Sequence, residues 1–119
     1  MARSARKTVF YQPRHCVPCE GDIQPMRNNE VRSALAKVAG WTVEDGKLSR
    51  VFEFTNFHQT MAFVNAVAWL ANLENHHPDM EVGYSRCKVC YHTHSIGGLS
   101  QNDFICANQL QNFSVNFTN

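Results

Sequence analysis

Apolar positions along the chain recur at two spacings, and the switches between them divide it into elements. Val31, Leu35 and Val38 keep helical spacing, which predicts a short helix from Asn28 or Asn29 to Val38 with Gly40 at its C-terminal cap. From Trp41 to Phe54 the pattern changes to alternation. Trp41 and Val43, then Leu48, Phe52 and Phe54, mark two strands, with Asp45-Gly46 between them as a turn dipeptide. Arg50 interrupts the inward face of the second strand. The strongest helix is predicted over Phe57–Glu74, where Asn56 can cap the first turn with Gln59 three residues on. Phe57, Met61, Val64, Val67, Ala68 and Ala71 form one stripe, which Phe63, Ala66, Leu70 and Leu73 widen. A face this broad predicts burial on more than one side, against a sheet and a neighbouring subunit. Pro78 stops the helix short of continuing through the residues before it.

Beyond Pro78 the alternation returns. Met80, Val82 and Tyr84 predict a third strand, and Cys87–Thr93 a fourth. On that fourth strand Val89, Tyr91 and Thr93 share one face, while Lys88, Cys90, His92 and His94 share the other. Gly97-Gly98 then turns the chain into a last helix. Ser100 and Asp103 have capping-box spacing, Leu99 and Phe104 have staple spacing, and Cys106, Ala107, Leu110 and Phe113 form its buried stripe. The order αββαββα predicts an α+β fold: a four-stranded antiparallel sheet with helices packed on one face. Residues 1–25, punctuated by Pro13, Pro18, Gly21 and Pro25, are expected to be an irregular tail before a single domain over residues 26–119.

Composition narrows the function classes. A formal charge of +1 over 119 residues gives no polyelectrolyte signature, so nucleic acid is not expected as a direct ligand. No apolar run approaches the roughly 18–20 residues of a membrane span. Met1–Arg14 carries Arg3, Arg6, Lys7 and Arg14 without an acidic residue but lacks the apolar centre of a secretory signal. It reads as a solvated tail, with a short organelle presequence as the alternative. Five cysteines, an odd number, suggest reduced thiols and a cytoplasmic setting.

The candidate chemistry is histidine chemistry. His76-His77, followed by Pro78, stands just past the end of the long helix, whose partial negative charge favours an imidazolium. His94 is placed at the end of the last strand, before a glycine turn. Imidazoles titrate near ~6.5, so a cluster around one cleft lets one donate a proton while another accepts. Helix-end capping and ordinary surface placement would explain any one of these histidines, though less easily the group. Asp103 is at least as well explained by capping as by chemistry, and an exposed polar role suffices for Glu74. A zinc site is the competing reading: Cys16-Val17-Pro18-Cys19 has structural-zinc spacing, and His92 and His94 share a strand face. Neither a nucleophile elbow nor a phosphate-cradling glycine loop is present.

Glu74-Asn75-His76-His77-Pro78-Asp79, Tyr84, Thr93-His94 and Gly98-Leu99-Ser100 followed by Asp103 resemble the pterin-4a-carbinolamine dehydratases. The likeness covers roughly residues 28–113 and takes in Gly40-Trp41, the Asp-Gly hairpin and the alanine-rich helix. It implies the same αββαββα fold and the dehydration of a 4a-hydroxytetrahydropterin to the quinonoid dihydropterin, with no metal or organic cofactor. That reaction recycles the cofactor of aromatic amino acid hydroxylases, which makes such a hydroxylase a pathway partner. It also implies a homodimer or homotetramer; in animals the same protein type serves as a dimerisation cofactor of a homeodomain transcription factor. By position, His76, His77 and His94 match the family's active-site histidines, His76 being taken as the principal acid/base and His94 next. Pro78, Thr93, Ser95 and Ile96 lie where the family contacts pterin, and Asp103 is grouped with them as substrate-binding. The chain departs from the family pattern at Asn72, where a charged side chain is usual, and at Met80, where an aromatic often follows; His92 is additional. A second reading is a non-catalytic binding module that regulates a partner through its apolar helix face. Docking would not require three imidazoles at one cleft.

Overall fold

The computed structural model describes residues 15–17 and 24–113. Three α-helices and four strands follow one another as α1 (Asn28–Leu35), β1 (Thr42–Glu44), β2 (Lys47–Glu53), α2 (Phe57–Glu74), β3 (Asp79–Val82), β4 (Arg86–Tyr91) and α3 (Gln101–Phe113). A short 3-10 turn, His94–Ile96, precedes α3. The strands pair antiparallel in the order β1-β2-β4-β3, so the α+β architecture expected from the sequence is the one observed. The expected tail of residues 1–25 falls largely outside the described residues.

Register decides which side of the sheet is core. Leu48 faces Tyr91 and Phe52 faces Cys87 across β2 and β4, and all four are buried. Phe63 of α2 packs on Phe52 at 4.7 Å between ring centroids and on Phe54 at 5.1 Å. Trp41 closes the same cluster edge-on against Phe52 at 5.8 Å. From α3, Phe104, Cys106, Ala107 and Leu110 are buried in this core, whereas the Phe113 side chain lies outside the described residues. Arg50 belongs to the inward face after all. Its guanidinium lies 4.6 Å over the Phe52 ring and donates to the Ala39 carbonyl at 3.0 Å, so the apolar stem packs while the head leaves at the rim. Gly40 makes room for it. A Cβ there would come within 3.0 Å of the guanidinium carbon, and the backbone has φ +87°.

Other expectations need correction. α1 stops at Leu35 instead of Val38, because Lys37 and Val38 bond back three residues in tighter turns. α2 buries Thr60, Phe63, Val67, Leu70 and Glu74, not the stripe through Phe57, Met61 and Ala68; Phe57, Trp69 and Leu73 are exposed. A helix apolar on nearly every side does not reveal from periodicity which side meets the sheet. β3 ends at Val82, and Tyr84 sits in the following turn with its ring stacked over Phe57 at 6.4 Å. β4 ends at Tyr91, so His94 opens the 3-10 turn and is not on a strand. Cys90 lies on the outer sheet face, opposite Val89 and Tyr91 as the alternation predicts, and accepts the Ser49 hydroxyl at 3.3 Å.

Candidate active site

The end of α2 sets the first part of the site. Asn75 takes a left-handed conformation (φ 53°), and the His76 N–H still reaches back to the Ala71 carbonyl at 3.1 Å. The chain therefore swings round at that point, and the two neighbouring histidines diverge. His76 turns inward, its side chain 12% exposed, while His77 faces out. Pro78 is buried beside them.

His76 Nε2 lies 2.7 Å from Asp103 Oδ1, and its ring is parallel to that of Tyr91, 7° apart at 5.9 Å. Asp103 is fully buried at the start of α3. Its other oxygen accepts the Thr93 hydroxyl and the Ser100 N–H, both at 2.9 Å. The Ser100 hydroxyl completes the chain by donating to Thr93 Oγ1 at 2.7 Å while accepting the Asn102 N–H at 3.2 Å. Donors thus converge on both carboxylate oxygens, as an ionised and buried acid requires. Asp103 caps α3, as its spacing suggested, and the same carboxylate orients His76. With Nε2 donating to a carboxylate, the imidazole proton belongs on Nε2, and no described group bonds Nδ1. Burial, first of all, pushes the Tyr91 phenol far up, so a neutral phenol lies against the His76 ring.

The other part of the site comes from the segment after β4. Thr93 and Gly98 bridge across the turn, Thr93 N–H to Gly98 O at 2.9 Å, and this loop carries His94, Ser95 and Ile96. His94 and Ser95 are exposed and Ile96 is half-buried. His94 lies 6.4 Å from His77 and 3.9 Å, edge-on, from His92, centroid to centroid. Burial, then the neighbouring His94, hold the His92 imidazolium below its ordinary range, so His92 favours the neutral ring. Gly98 fits here because Pro25 covers it: a Cβ would come 2.8 Å from the proline Cβ.

The predicted site residues therefore fall in two layers. His77, His94, Ser95 and Ile96 are on the surface layer; His76 lies just behind; Thr93 and Asp103 lie beneath it with their side-chain oxygens engaged by one another. Asp103, grouped with the substrate contacts in the sequence reading, faces His76 and the protein interior instead of open space. Glu74 is likewise not an exposed polar residue. Its side chain is 3% exposed and takes the Cys16 N–H and the His15 ring, each at 2.7 Å, and the Gln109 amide at 2.9 Å. Its only sequence signal was a carboxylate one residue before the helix cap. Of the zinc candidates, Cys16 points at Cys106, 3.5 Å between sulfurs, and Cys19 lies outside the described residues. Among the described residues no three His, Cys, Asp or Glu side chains are arranged to hold a metal ion. Nor is any described helix long and apolar enough to cross a membrane.

An antiparallel α+β sandwich with a histidine supported by a buried carboxylate defines a class of small domains with acid–base potential. Comparison with known proteins narrows it. Residues 24–113 match the family described as pterin 4 alpha carbinolamine dehydratase, and the chain belongs to that family. A Nitrosomonas eutropha protein, provisionally named a pterin-4-alpha-carbinolamine dehydratase, is 57% identical over 95 residues, 79% of this chain and 84% of that protein. Among solved structures, a transcriptional coactivator/pterin dehydratase from Brucella melitensis superposes with a TM-score of 0.73 at 28% identity, covering 76% of this chain and 99% of its own. A pterin dehydratase-like RuBisCO assembly factor of the alpha-carboxysome shares the fold at a TM-score of 0.52 and 20% identity, over 62% of this chain and 86% of that one.

Proposed function

We propose that this chain dehydrates a 4a-hydroxytetrahydropterin to the quinonoid dihydropterin, using histidines as acid and base. The observation that carries the reading is the His76–Asp103 contact at 2.7 Å, next in the chain to His77, whose ring lies 6.4 Å from that of His94, in a chain of the pterin carbinolamine dehydratase family. Breaking the C4a–oxygen bond needs a proton on the departing hydroxyl and the removal of one from a ring or amino nitrogen, so that water leaves and no net proton is consumed. His76 suits the base. Asp103 holds its proton on Nε2 and stabilises the imidazolium that forms when Nδ1 takes a second one. His94, exposed on its turn, suits the acid, and the exposed His77 ring lies 6.4 Å from it. His92 favours the neutral form and does not compete for the proton.

Ser95 and Ile96 form the rim against which the pterin edge is held, and buried Pro78 fixes the path of the two histidines before it. Thr93 acts through Asp103, since its hydroxyl is already engaged. The reaction is complete with these groups and calls on no metal or organic cofactor. It fits a small-molecule pterin pathway in the cytoplasm, alongside a hydroxylase that generates the carbinolamine, with the chain working as a homodimer or homotetramer.

The test is the rate of carbinolamine dehydration, followed by ultraviolet absorbance, with metal-stripped protein and with His76→Gln and His76→Ala. General acid–base groups supply about 10²–10⁴-fold, and both variants should lose acceleration on that scale while keeping the wild-type circular dichroism. Wild-type protein that only matches the spontaneous rate would remove the assignment for this substrate and leave the binding-module reading in its place.

A further inference from the structure

Residues 15–17 are fastened to the domain from two sides. Glu74 takes the His15 ring and the Cys16 N–H, and Asn102 grips Val17 at both polar backbone atoms, accepting its N–H at 2.9 Å and donating to its carbonyl at 2.6 Å. This places the half-buried Cys16 directly over the buried Cys106 of α3, with 3.5 Å between their sulfurs and a thiol hydrogen shared between them. Cys16 Sγ also lies 3.7 Å from the Asn102 carbonyl. The other described thiols are elsewhere: Cys87 is buried under the sheet and Cys90 sits on its outer face.

We propose that Cys16 and Cys106 are a redox pair that closes to a reversible disulfide under peroxide and latches the segment before α1 onto α3. A sulfur–sulfur separation of 3.5 Å must shorten to about 2.05 Å for the bond to form. Cys16, the more accessible sulfur, attacks the peroxide oxygen; the O–O bond breaks, and Cys16 becomes a sulfenic acid as the peroxide leaves as an alcohol or water. The Cys106 sulfur then attacks the Cys16 sulfur and expels hydroxide, which leaves as water with the Cys106 proton. Two thiols lose two electrons and two protons, and the peroxide takes both. The Cys16 thiol and burial together hold Cys106 in its protonated form, so it acts second, through proximity more than through its own reactivity. A dithiol reductant reopens the bond.

The cross-link closes a loop between residues 90 positions apart, so oxidation should raise the melting temperature by about 5–20 °C. The full-length protein is treated with hydrogen peroxide, alkylated, digested without reductant and mapped by mass spectrometry. The expected product is a Cys16 peptide joined to a Cys106 peptide within one chain. It should persist in Cys19→Ser, vanish in Cys16→Ser and revert with dithiothreitol, and the thermal shift should follow it. A Cys16–Cys19 bond, a disulfide between chains, or no disulfide at all would each overturn the proposal. Cys16→Ser changes one half-buried sulfur to oxygen and leaves Cys106 in place, so the control does not depend on disturbing the core.

Discussion

Asp103→Asn is the sharpest perturbation of this site, because it keeps the size of a buried side chain and removes only its charge and one acceptor. In the native protein Oδ1 receives His76 Nε2–H, and Oδ2 receives the Thr93 hydroxyl and the Ser100 N–H. An asparagine has one acceptor oxygen and one NH₂. If the oxygen stays with Thr93 and Ser100, the NH₂ meets His76 Nε2 and forces the imidazole proton to Nδ1. If it turns to His76, two buried donors lose their partner. The first arrangement costs less, since only one contact changes and the ring can change tautomer. With its proton on Nδ1 the ring has no lone pair left there to act as the proposed base, so kcat should fall on the scale of a lost general base, about 10²–10⁴-fold, with KM little changed. Losing the charge-assisted contacts should also lower the melting temperature by about 5–15 °C. The discriminating readouts are stopped-flow dehydration kinetics on protein shown to be folded, and long-range ¹⁵N correlation of the His76 ring. The wild-type ring should carry its proton on Nε2, and the variant ring on Nδ1. A folded variant with wild-type kcat and the wild-type tautomer would refute the reasoning and reduce Asp103 to a helix cap.

Other consequences follow from the same contacts. Burial would raise the Glu74 carboxyl, but the Cys16 N–H, the Gln109 amide and His15 outweigh it and hold it below its ordinary 4.5. The stability it contributes is complete above about pH 4.5 and is lost as pH falls through the lower folded value. Urea titrations should therefore show Glu74→Gln about 1–3 kcal/mol less stable at pH 7, with a flatter loss between pH 5 and pH 3 than the wild type; parallel curves would reject this. Phe63 is fully buried between Phe52 and Phe54, and Phe63→Ala should cost about 3–5 kcal/mol in denaturant unfolding. Gly98→Ala should fold less stably, because its Cβ meets Pro25 at 2.8 Å, and Pro25→Gly should relieve the clash in the double variant.

Much of the fold is legible locally, where short-range chemistry decides. The Asn56 cap forms as its spacing predicts, with Gln59 N–H to Asn56 Oδ1 at 2.9 Å, while the Gln59 side chain returns to the N–H of Thr55, one residue before the cap, at 2.7 Å. Asp45 and Gly46 both take positive φ, the backbone that a tight hairpin turn demands. What periodicity leaves open is the inward side of α2, where the carboxylate of Glu74 counts as core and the indole of Trp69 as surface. The buried Glu74 carboxylate meets His15 and Cys16, which come from far along the chain, and Gln109 of α3. Local pattern holds no trace of that pairing. The histidines were visible as a group, but their unequal placement depends on the left-handed turn at Asn75 and on a carboxylate from another helix.

That unequal placement bears on how a small acid–base site could meet two opposed demands. A base has to be aimed, and His76, the proposed base, is aimed by a carboxylate that four further contacts of its own surroundings hold still: Thr93 and Ser100 on the acid, Ser100 on Thr93, Asn102 on Ser100. An acid that regains its proton from water between turnovers has to be reachable, and His94, the proposed acid, is exposed on the turn that the Thr93–Gly98 bridge closes. Had both histidines been buried, reprotonation would have needed an opening of the fold; had both been exposed, neither ring would keep a fixed tautomer. The two arms join at Thr93, whose hydroxyl belongs to the Asp103 network and whose peptide leads directly into His94. A change at Thr93 should thus disturb the proposed base and acid together, while one at Asp103 falls chiefly on the proposed base.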